Sequence, residues 1–294
     1  MKYLVGYSAD KGGAEALQLA GWLARSSGGS IVVVTVLPGG WDHPSPARVD
    51  VEYVRFLDQY AAKTLAGAHK FAPEGVEAEF HARHAGTASD GLIAAAAEFG
   101  AGAIVLGSSR KAPTTRFQEG VVASEILRSA SVPVVLAPRG YVPPPQGVSR
   151  VTCAIASSRR SVELAQKAGE IATGFGVPLR LATFIVRDRQ MYPTGAGYDA
   201  ENMVANQFRE QASAAYEQIS ATWPGPDKPE LVLGDGRNWK SAVASLDWDP
   251  AELLVIGSSH LGGFLRVFVG SNSGKILRHA PVPRMIVPRM AEPA

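Results

Sequence analysis

Ala103-Ile-Val-Leu-Gly107-Ser-Ser-Arg110 returns as Leu253-Leu-Val-Ile-Gly257-Ser-Ser-His260, and this recurrence decides the fold. The match runs on from Ser124-Glu-Ile-Leu-Arg128-Ser-Ala-Ser-Val-Pro133 to Ser273-Gly-Lys-Ile-Leu-Arg278-His-Ala-Pro-Val-Pro283. Gly107, Gly120, Leu127, Arg128, Pro133 and Pro138 meet their partners at Gly257, Gly270, Leu277, Arg278, Pro283 and Pro288, always 150 residues on. That period exceeds a solenoid repeat of roughly 20–50 residues and fits one ordinary domain of about 100–200. The chain therefore reads as two copies of one domain, residues 1–139 and 151–294. Between them, residues 140–150 contain Pro143, Pro144 and Pro145, which read as a short, stiff linker.

Elements alternate within each copy. In the first, Tyr3–Tyr7 is a short apolar run, and Ala16, Leu19, Ala20 and Leu23 then recur at helical spacing up to Gly28-Gly29. Ile31–Leu37 is a continuous β-branched run, as in a strand covered on both faces. Helices are expected over 49–71, 88–99 and 121–128, and strands over 76–83, 103–106 and 132–137. The second copy repeats the order, with strands over 151–156, 179–185, 231–233, 253–256 and 284–287. Its helices fall over 161–172, 199–220, 239–246 and 273–279. Such alternation predicts an α/β fold, a doubly wound parallel sheet in each copy with helices on both faces. Ligands of such sheets sit beyond the carboxyl ends of the strands, where the strand order reverses.

Composition excludes several classes. The chain is 46% hydrophobic, yet no apolar run approaches the roughly 18 residues that span a bilayer. Met1-Lys-Tyr-Leu-Val-Gly6 reads into a strand and lacks the apolar core of a secretory signal, so a cytoplasmic location is expected. Cys153 is the only cysteine, which rules out an intramolecular disulfide and a cysteine-rich metal site. The 29 basic and 27 acidic side chains are nearly balanced and scattered, so neither nucleic acid nor membrane is an expected partner.

The loop after the fourth strand carries the chemistry. In the second copy Gly257-Ser258-Ser259-His260 is followed after nine residues by Gly270-Ser271-Asn272-Ser273, which opens the last helix. Glycines let backbone approach a ligand closely, and free amides at a helix start suit a phosphate. The Gly-Lys-Ser/Thr ending of a Walker A loop is absent, and no G-x-G-x-x-G follows the first strand.

With Gly257-x-x-His260-x9-Gly270-Ser271 and the Lys275–Pro283 block behind it, the chain resembles the universal stress protein family (UspA-like) along its whole length, as a tandem of two domains. The resemblance implies five-stranded Rossmann-like sheets of order 3-2-1-4-5, of the adenine nucleotide alpha hydrolase-like kind. It also implies an adenine nucleotide (ATP, ADP or AMP), with Mg2+ alongside it, and a role in stress response. Carried over residue by residue, it assigns the second-half site to Ala156, Phe184, Gly257, Ser258, His260, Gly270, Ser271, Asn272 and Ser273. The first-half site falls on Ser8, Val36, Gly107, Ser108, Arg110, Gly120 and Val121. Several positions depart from the family pattern. His260 and Arg110 replace its second glycine, Val121 replaces its Ser/Thr, and Ser8 and Ala156 replace its first-strand Asp. The nearby Asp10 substitutes for that carboxylate only if the turn moves. The second half is therefore the better site, and the first is degenerate. The resemblance further implies an internal pseudo-dimer of the two halves, with a homodimer as a further step.

Other conspicuous residues have plainer readings. His81 and His84, three apart on a strand, point to opposite faces and share no metal. His43, with Trp41 and Asp42, reads as a loop tip, and Trp239 and Trp248 as packing residues. Ser108, Ser109, Ser258 and Ser259 lack a G-x-S-x-G elbow. No base, carboxylate pair or phosphate-clamping lysine stands at either loop, so the expectation is a binding protein, not an enzyme, weak ATPase activity aside. The alternative is a scaffold or interaction module of the same fold that no longer binds nucleotide.

Overall fold

The computed structural model describes residues 1–9, 12–39, 49–114, 117–156, 160–187, 197–258 and 271–288. Asp10, Trp41, Asp42, His43, Ser259, His260 and Gly270 lie outside the described residues. Two compact units emerge, the first formed by Met1–Gly147 and the second beginning at Val148.

The first unit runs β1 (Lys2–Gly6), α1 (Gly13–Ser27), β2 (Ser30–Pro38), α2 (Val49–His69), β3 (Ala78–Ala85), α3 (Ala88–Glu98), β4 (Ala103–Gly107), α4 (Val121–Ser129) and β5 (Val134–Ala137). Its strands lie in the order β3-β2-β1-β4-β5, all parallel. Val5 stands opposite both Val33 and Val105, which fixes the centre of the sheet. Helices α1 and α2 meet on one face and α3 and α4 on the other. Leu4, Val5, Val33, Ile104 and Val105 are fully buried between those layers. Each such side chain is worth about 1.5–3 kcal/mol relative to exposure.

The second unit repeats the plan: β6 (Arg150–Ala154), α5 (Arg160–Phe175), β7 (Leu179–Val186), α6 (Gly197–Ala221), β8 (Glu230–Gly236), α7 (Trp239–Ala244), β9 (Glu252–Gly257), α8 (Ser271–His279) and β10 (Arg284–Val287). The order is β8-β7-β6-β9-β10, again parallel, so both units are 3-2-1-4-5 sheets as expected. Cys153 sits at its centre, between Leu181 and Val255, and is fully buried. Burial pushes its thiol pKa far up.

Local chemistry explains the boundaries. Gly12 (φ 74°) and Gly28 (φ 61°) occupy the left-handed positions at either end of α1, where a side chain would be strained. Thr87 caps α3 by accepting from the Asp90 amide, and Asn238 caps α7 within a capping box with Ser241. The proline-rich segment rests on the first unit: Trp22 Nε1 donates to the Gln146 carbonyl at 2.9 Å, and the Tyr141 ring meets Trp22 edge-on at 6.3 Å. His81 lies beside Glu79 and Phe99, whereas His84 reaches Pro38 O and Asp58 on α2. The two imidazoles therefore serve different contacts.

At the amino ends of its strands the second unit encloses a charge network. Glu252, with no exposed surface, accepts from Arg180 and Arg150 at 2.8 Å each and also from Thr152 and the Asp249 amide. The Trp248 ring covers the Arg180 guanidinium at 5.6 Å, and its indole donates to Val243 O. Every oxygen of this buried carboxylate is thus satisfied, as burial of a charge demands.

Candidate functional site

In the first unit the carboxyl ends of β1 and β4 are held backbone against backbone. A Cβ on Gly107 would overlap the Gly12 carbonyl, and one on Gly12 would come within 2.7 Å of Ser108 O. Both glycines are demanded by this contact. The loop beyond then closes on itself. Ser108, 3% exposed, accepts from the Gln118 amide at 2.9 Å, and the Ser109 amide donates to Gln118 O at 3.0 Å. The Lys111 and Ala112 amides are bonded to Ser109 Oγ and O. The Ser109, Lys111, Ala112 and Gln118 amides are thus spent inside the loop.

The start of α4 differs. Gly120 precedes it in an extended conformation, with nothing within 4 Å of where a Cβ would stand, and no side chain caps the helix. Val121 is 75% exposed and offers no hydroxyl, and Arg110 is exposed. Ser8 lines the β1 loop, with its backbone within 3 Å of a Cβ built on Gly13. Val36 is pressed by α3, since a Cβ on Gly91 would stand 2.7 Å from it. Glu125, one turn into α4, accepts from Ser89 Oγ at 2.6 Å. Anion chemistry is poorly served here.

The second unit meets its loops with side chains instead. Gly257 faces Leu164, whose Cδ2 would lie 3.0 Å from an added Cβ. The Ser258 amide donates to Val287 O at 3.1 Å, and Ser273 Oγ reaches Gly257 O at 3.5 Å, so these three residues gather at the mouth between β9 and α8. Asn272 is exposed beside them. Ala156, also exposed, is clasped by Ser161, which accepts from its amide at 3.1 Å and donates to its carbonyl. The hydroxyl closes the turn at the place where the family pattern has a carboxylate.

Phe184 lies near the end of β7 and faces Trp239, the first residue of α7, with ring centroids 6.5 Å apart and planes at 49°. Lys275 Nζ stands 5.4 Å from the Trp239 centroid, within cation–π range. Sequence reading placed Trp239 among packing residues and passed over Lys275. Further along the same edge, Arg187 and Arg209 both bind Asp235, at 2.9 and 3.1 Å, which leaves one net positive charge on the cluster. Among the described residues no three His, Cys, Asp or Glu side chains gather to hold a metal ion. None of the described helices is long and apolar enough to cross a membrane.

Two doubly wound units in tandem, each with a glycine at the end of its fourth strand and a helix starting beyond it, define a duplicated α/β protein. The universal stress protein family model matches residues 1–138 and again 147–288, and the chain belongs to that family. It is 35% identical over 291 residues to universal stress proteins of Mycobacterium bovis and Mycobacterium tuberculosis, covering 98% of this chain and all of theirs. A universal stress protein structure from Archaeoglobus fulgidus shares the fold at 17% identity and TM-score 0.64, with 98% of each chain covered.

Proposed function

We propose that the chain is an adenine-nucleotide-responsive stress protein of the cytoplasm that works by binding, without catalysis, and that its second half holds the ligand. The observation that carries this reading is the Phe184–Trp239 aromatic pair standing on the same strand-end edge as Gly257, Ser258 and the start of α8. Aromatic faces suit a purine base, and helix-start amides suit its phosphate. ATP is the first ligand to try, with ADP and AMP beside it; any Mg2+ would come with the phosphates. The internal pseudo-dimer of the two halves belongs to the same reading, and cross-linking of cysteines placed at Val135 and Met285 tests it.

A scaffold that has given up nucleotide is the competing reading, favoured by one observation: Ser8 and Ala156 leave both halves without a first-strand carboxylate. Calorimetric titration of the full chain with ATP, ADP and AMP separates the two. One ligand per chain is expected, and mass spectrometry of acid-released material should show an adenine nucleotide. Absence of heat and of released nucleotide would leave the scaffold standing.

A further inference from the structure

We infer that Lys275 sets the charge preference of the second-half site, selecting ligands that carry a phosphate group over those that do not; this rests on the reading of that half as a nucleotide site. The argument begins with an exchange between the halves. At the offset of 150 residues Glu125 in α4 becomes Lys275 in α8, and each is met from the first turn of the preceding helix, by Ser89 two residues past the Thr87 cap of α3 and by Trp239 one residue past the Asn238 cap of α7. The first pair is a hydrogen bond at 2.6 Å that anchors a carboxylate. The second is a cation over an indole at 5.4 Å. A negative group has become a positive one at one place in the fold, and its partner has changed with it.

Helix electrostatics give the exchange a direction. Side chains in a helix lean toward its amino end, so residues 125 and 275, each in the second turn, lean toward the starts of α4 and α8. A carboxylate there complements the helix dipole, and an ammonium opposes it. Glu125 thus neutralises its own helix start from within. Lys275 adds positive charge to one that already carries it. No acidic residue occupies the first turn of α8, and among the described residues no carboxylate pairs with Lys275, whose contact is the Trp239 ring. An arriving anion would relieve that excess.

Trp239 links this charge to the base-sized surface. Its ring contacts both Phe184 and Lys275, at 6.5 and 5.4 Å, so an aromatic shelf and a cation lie within one ligand's length. Both stand on helices: Trp239, half-buried, opens α7 behind an Asn238 cap, and Lys275, exposed, stands in the second turn of α8.

The test compares full-length wild type with Lys275→Ala, Lys275→Glu and Lys275→Arg, titrated with adenosine, AMP and ATP, and melted with and without inorganic pyrophosphate. Lys275→Ala is expected to weaken AMP and ATP by about tenfold, the size of one charge-assisted hydrogen bond, and to leave adenosine unchanged. Lys275→Glu should weaken them further and Lys275→Arg should restore them. Equal losses for adenosine and AMP would reduce Lys275 to a support for Trp239 and overturn the inference, as would unaltered AMP affinity in Lys275→Ala. Should wild type bind no nucleoside or nucleotide, a pyrophosphate-induced rise in melting temperature that Lys275→Glu abolishes sustains the charge site while the adenine reading falls. No such rise overturns both.

Discussion

The two halves share a strand order and invest in opposite ends of it. In the first, the carboxyl ends of the strands are sealed by backbone, with Gly12 against Gly107 and Ser108 clasped to Gln118. In the second, the corresponding end is bordered by Leu164, Phe184, Trp239 and Lys275, all side chains, while the amino end encloses Glu252 between two arginines. At the first half's amino end Gly102 takes the position of Glu252, with Met1 packed over it. A duplicated fold can therefore keep its core while closing the carboxyl end of one sheet with backbone and anchoring the amino end of the other with charge.

The largest effect should come from Glu252→Ala. Removing the carboxylate leaves Arg180, 4% exposed, buried without its partner, a change that costs about 3–5 kcal/mol. Scanning calorimetry should show the second half's transition falling and the first half's holding. A uniform shift of the whole profile would break the comparison.

Next come the paired glycines. Gly107→Ala drives a methyl into the Gly12 carbonyl and should cost about 3 kcal/mol, because backbone cannot step aside. Gly257→Ala meets only the tip of Leu164 and should cost less than about 1 kcal/mol. Equal penalties in thermal melts would mean that the two loops are sealed alike.

Smaller still are the hydroxyl clasps. Ser108→Ala strips the Gln118 amide of its buried acceptor and should destabilise the first half by about 1–3 kcal/mol. Ser161 is itself 4% exposed, but the groups that Ser161→Ala releases belong to exposed Ala156, where water can meet them, so the change should cost the second half about 1 kcal/mol or less. Chemical denaturation of the two variants measures the difference.

The smallest effect is a pH dependence confined to the first half. The bond from His81 to Glu79, helped by Lys2, holds the Glu79 carboxyl below its ordinary range. Its contribution is present above that range and is lost as pH falls through the lowered value. His81→Leu should therefore lower stability slightly near neutrality, and the two proteins should converge in acid. A difference that persists in acid would assign the effect to packing against Phe99.

Much of this architecture is legible in the residues. The repeat sets the domain size, the alternation of β-branched runs and helical spacings sets the α/β class, and the glycine at the end of β9 points to the candidate site. Strand β8 shows where legibility ends: its apolar run is 231–233, yet pairing with β7 continues to Gly236. Gly234, Asp235 and Gly236 read as turn residues, but a ladder needs only their backbone groups. The contact between Trp239 and Lys275 escaped notice for a similar reason. Trp239 and Lys275 look ordinary one at a time, and only the replacement of Glu125 by a lysine at the matching place in the second half draws attention to them. Glu252, a single acid before an apolar run, gives no hint that Arg150 and Arg180 arrive from other strands.

Cys153 offers a way to watch the halves separately. As the sole thiol in 294 residues, sealed at the centre of the second sheet and kept protonated by burial, it is closed to alkylating reagents until that sheet opens. The labelling rate is then a clock that counts openings of one half in the intact chain, blind to the other. Glu252→Ala should quicken that clock, and Gly107→Ala should leave it running at the wild-type pace.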